Sequence, residues 1–118
     1  MIKITATEEL EKLPEEIQAL LKTTMLEYET TELKEVTGGD VYLIESDEDL
    51  LQFTKIFEQC YENNVLTVER FDNVSALENY VEFYYAGNNA GGNTAFVPKS
   101  IFNQNQILKE SYELTIEV

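Results

Sequence analysis

The sequence predicts an α+β fold: one domain over 1–118, with an N-terminal helix, a central helix and a mostly antiparallel sheet of about five strands. Three observations lead there. Apolar residues recur at spacings of three and four in two segments, they alternate with polar residues in several short ones, and Gly, Asn and Pro punctuate the chain between them. With 118 residues, 43% hydrophobic and 11% aromatic, the chain can bury a core and is too apolar for a disordered composition.

The N-terminal stripe runs through Leu10, Leu13, Ile17, Leu20, Leu21, Met25 and Tyr28. Pro14 suits the first turn of a helix and Glu15 and Glu16 its positive end, so the pattern predicts a short turn near 7–12 and a helix over about 14–29. Gly38-Gly39-Asp40 is a turn, and 41–45 reads as a strand. Ser46 then offers a capping oxygen ahead of Asp47, Glu48 and Asp49, while Leu50, Phe53, Phe57 and Cys60 share a face, which predicts the central helix over about 47–61. Asn63-Asn64 turns the chain into a strand at 65–71, which completes a β-α-β order. After a polar stretch with room for a short helix at 74–79, residues 80–86 alternate Val81, Phe83 and Tyr85 against Tyr80, Glu82 and Tyr84. The Gly/Asn-rich loop 87–93 joins this strand to 94–98 as a hairpin, and 112–118 alternates cleanly as a last strand.

Charge is the most informative feature. There are 23 Asp or Glu against 8 Lys or Arg, a net charge of -15, and no histidine. So acidic a surface repels phosphate backbones and excludes direct nucleic-acid binding. The lack of histidine excludes Ser-His and Cys-His catalysis and His-ligated metals. The distribution is uneven: residues 1–82 hold 20 acidic and 6 basic side chains, residues 83–109 none and 2, and residues 110–118 hold 3 and none. An acid-free segment in such a chain is either an interior strand pair or a surface kept neutral for a contact. The net charge also lies well beyond the magnitude of roughly 2–8 that solubility needs in a small domain.

No catalytic or metal motif survives a spacing test. Asp47, Asp49 and Glu58 fall where a calcium loop begins and ends, but Leu51 and Gln52 occupy its ligand and glycine positions. Loop 87–93 lacks the spacing of a phosphate cradle. Cys60 sits on an apolar helix face toward the C-terminal end, where a thiol is not activated, and adjacent Lys99 and Ser100 point apart in an extended chain. No cofactor or metal is expected, and no enzymatic activity. The single cysteine forms no internal disulfide, no secretory signal opens the sequence, and runs such as Val41-Tyr42-Leu43-Ile44 are far short of the roughly 20 residues of a membrane span, so a cytoplasmic location is expected.

The expectation is therefore a non-enzymatic acidic protein that inhibits or neutralises a basic, nucleic-acid-handling protein, with carboxylates in place of phosphates. Nuclease-toxin immunity proteins and phage-encoded antagonists of restriction or CRISPR enzymes, DNA mimics among them, form that class. The partner-binding residues are Glu8, Glu9, Glu15, Glu16, Asp47, Glu48 and Asp49, with Tyr80 and Tyr84 as outward aromatic anchors. The alternative is a structural or assembly protein, a homo-oligomer such as a homodimer or a virion accessory, that pairs through its last strand or its acid-free hairpin.

Overall fold

The computed structural model of the chain describes residues 1–60, 65–69, 77–86 and 93–104, with the backbone alone described at 54–60, 65–69, 83–86, 93 and 103. The elements are β1 (Ile2–Ile4), a 3-10 helix (Thr7–Lys12), α1 (Glu15–Glu27), α2 (Lys34–Thr37), β2 (Val41–Leu43), α3 (Asp47–Cys60), β3 (Val65–Glu69), β4 (Tyr80–Ala86), β5 (Asn93–Pro98) and α4 (Lys99–Gln104). Helices and sheet together make the α+β class expected from sequence. The expected strand at 112–118 and the loop 87–92 lie outside the described residues, as do 70–76.

The strands form one sheet in the order β1-β2-β5-β4-β3. β1 is antiparallel to β2, and β3, β4 and β5 form an antiparallel meander, but β2 runs parallel to β5. The sheet is mixed, which corrects the mostly antiparallel expectation. The cause is topological. After β2 the chain crosses through α3 to β3 and comes back through β4, so β5 arrives beside β2 in the same direction. β2 is therefore interior, and its three residues are all buried. A strand covered on both faces reads as a continuous apolar run rather than an alternation, and Val41-Tyr42-Leu43-Ile44 does.

The register places Ile2, Ile4, Val41, Leu43, Phe96 and Tyr80 on one face. The 3-10 helix, α1 and α2 cover it, and Leu10, Leu13, Ile17, Leu21, Met25 and Leu33 join these strand residues in one apolar cluster. Each such side chain, fully buried, contributes roughly 1.5–3 kcal/mol relative to exposure. On the opposite face Tyr42, Val81, Ala95 and Val97 are also buried. α3 covers that face at Tyr42, whose ring meets Phe53 with centroids 5.2 Å apart and planes tilted by 57°.

Two expectations change with this layering. Tyr80 is not turned outward but is half-buried and packed against the α1-side cluster. Tyr84 lies on β4 opposite Thr94 and Thr67, and its side chain, like that of Cys60, is outside what is described. The acid-free stretch, exposed at Ser100 and Gln104, is interior along β5, which lies between β2 and β4 with Thr94, Ala95, Phe96 and Val97 buried, and at Phe102. An acid there would be desolvated without a partner.

Candidate functional site

The helix ends decide where the acids gather. β2 and β5 finish at the end of the sheet where β4 and β1 begin, as the pairs Ile2 with Leu43, Leu43 with Phe96 and Tyr80 with Pro98 require. The chain leaves β2 there through Ile44, whose N–H donates to the Phe96 carbonyl at 2.9 Å, and enters α3 at once. Ser46 Oγ accepts the Asp49 N–H at 3.1 Å, and the Asp49 carboxylate accepts the Glu45 N–H at 3.0 Å. This reciprocal cap is why Ser46 and Asp49 start the helix here.

The first turn of α1 is brought to the same end. Glu16 accepts the Asn79 backbone N–H at 2.8 Å and the Asn79 side-chain amide at 3.1 Å, and Asn79 immediately precedes β4. Glu15, Glu16, Glu45, Asp47, Glu48, Asp49 and Glu78 therefore collect at one end of the sheet. Burial pushes the Tyr80 hydroxyl above its ordinary pKa, and the Glu16 and Glu45 carboxylates push it further, which ties the two helix starts together electrostatically.

These carboxylates fall into two groups. Glu16 and Asp49 are half-buried and hold the fold: Asp49 also pairs with the Met1 ammonium at 3.1 Å. Burial pushes the Asp49 carboxyl up, but the Glu45 N–H, the Met1 ammonium and Ser46 outweigh it and hold the pKa below its ordinary value. Glu15, Glu45, Asp47, Glu48 and Glu78 are exposed. Among the described residues none of these five has a hydrogen-bonding or ion-pairing partner for its carboxylate. Glu45 and Glu78 were not legible as members: Glu45 precedes the cap rather than following it, and Glu78 reaches the site only through the path of the chain into β4.

Glu8 and Glu9 do not belong to this group. β1 ends at Ile4, opposite Val41 at the start of β2, and the Glu9 carboxylate holds the next residue, accepting from Thr5 N at 3.1 Å and Thr5 Oγ1 at 3.0 Å. Lys12 Nζ lies 2.9 Å from it. The lysine and the two Thr5 donors pull the Glu9 pKa down to about 2. Toward that far end Asp40 is matched by cations, lying 3.6 Å from Lys3 and 3.9 Å from Lys34.

No group of three or more Cys, Asp or Glu side chains among the described residues is arranged to hold a metal ion, and no described helix is long and apolar enough to cross a membrane. The acidic end is a surface of negative charge on a packed scaffold. The chain matches no protein-family model, no curated protein and no solved structure.

Proposed function

We propose that this protein is a non-enzymatic antagonist that docks its acidic end on the cationic surface of a basic, nucleic-acid-handling protein. One observation carries the reading: α1 and α3 both start at one end of the sheet, on its opposite faces, and with the entry to β4 they place five exposed carboxylates there that have no partner among the described residues. Carboxylates of one sign at one end of a small domain sum to a field that extends about a Debye length from the surface, ~8 Å at physiological ionic strength, and steers a positive cleft into contact. In that cleft they occupy the place of phosphates, which is the action of nuclease-toxin immunity proteins and of phage antagonists of restriction or CRISPR enzymes, including DNA mimics. The protein acts in the cytoplasm, without cofactor or metal.

The test is capture from cell lysate on the immobilised protein at low and at high salt, with the bound proteins identified by mass. The reading predicts enrichment of basic nucleases or other nucleic-acid-binding proteins at low salt and their release at high salt. Capture that is indifferent to salt, or free of basic proteins, would overturn it.

A further inference from the structure

We draw no further inference here: the strongest candidate, the exposed surface patch of α3 on which Leu51 follows Asp47 and Glu48 by one helical turn, belongs to the acidic end already described, and nothing in the structure shows what covers it.

Discussion

Replacing Glu29 with glycine is expected to stabilise the protein. The residue holds φ 53 at the close of α1, and its side chain has no part in the two backbone bonds that shape the turn. A residue with a Cβ in the left-handed region costs about 1–2 kcal/mol, whereas glycine occupies it freely. Glycine also widens the unfolded ensemble, which offsets about 0.4–1 kcal/mol of that relief. The net expectation is a gain of about 1 kcal/mol, which raises the melting temperature by about 4 °C for a chain of this length. Chemical denaturation with an unchanged slope and a shifted midpoint is the assay. Glu29→Ala removes the charge and keeps the Cβ, so the difference between the alanine and glycine variants isolates the backbone contribution. A Glu29→Gly protein that melts at or below the wild-type temperature would refute the conformational argument.

Ser46→Ala removes the acceptor for the Asp49 N–H and is expected to cost about 1 kcal/mol in urea denaturation. Phe53→Ala opens a cavity against Tyr42 under α3 and should cost about 3–5 kcal/mol by the same measurement, enough to threaten folding. Glu9 has a folded pKa of about 2 against an ordinary value of 4.5, so its contribution to stability is fully present above that ordinary value and is lost as pH falls through about 2. A carbon-detected titration should find Glu9 protonating only as pH falls through about 2, and Glu9→Gln should flatten the acid limb of the stability curve. An unchanged acid limb would mean that the bonds to Thr5 and Lys12 do not form in solution.

Much of the helical layer was legible because its signals are local. Ser46 ahead of three acids marked the start of α3, and the spacing of Leu10, Leu13, Ile17, Leu21 and Met25 marked the buried side of the 3-10 helix and α1. The limits of β4, the turn at Gly38 and the antiparallel pairing of β4 with β5 followed from alternation and turn residues. Other features depend on contacts between residues distant in sequence. Three-residue β1 offers too little alternation to recognise, and its place is set by pairing with β2. The parallel contact of β2 with β5 leaves no periodic trace, because either direction buries the same side chains. Tyr80 shared an alternating face with Glu82 and so suggested an outward position, but the helices on that side cover its end of the strand. Acidic residues were visible as helix starts, yet only the chain path shows that α1 and α3 start at the same end of the sheet while Glu8 and Glu9 lie at the other.

The account turns on electrostatic docking by the acidic end. Its most direct test is the association rate between the captured partner and either the wild-type protein or a Glu15→Lys, Asp47→Lys, Glu48→Lys variant across a salt series. These three side chains are exposed and have no partner among the described residues, so each reversal removes only a helix-dipole contact of about 0.3–1 kcal/mol. The account predicts a wild-type rate that falls steeply as salt is added, a variant that associates at least about tenfold more slowly at low salt, and convergence of the two at high salt. A wild-type rate independent of salt, or a variant that associates as fast as wild type at low salt, would contradict it.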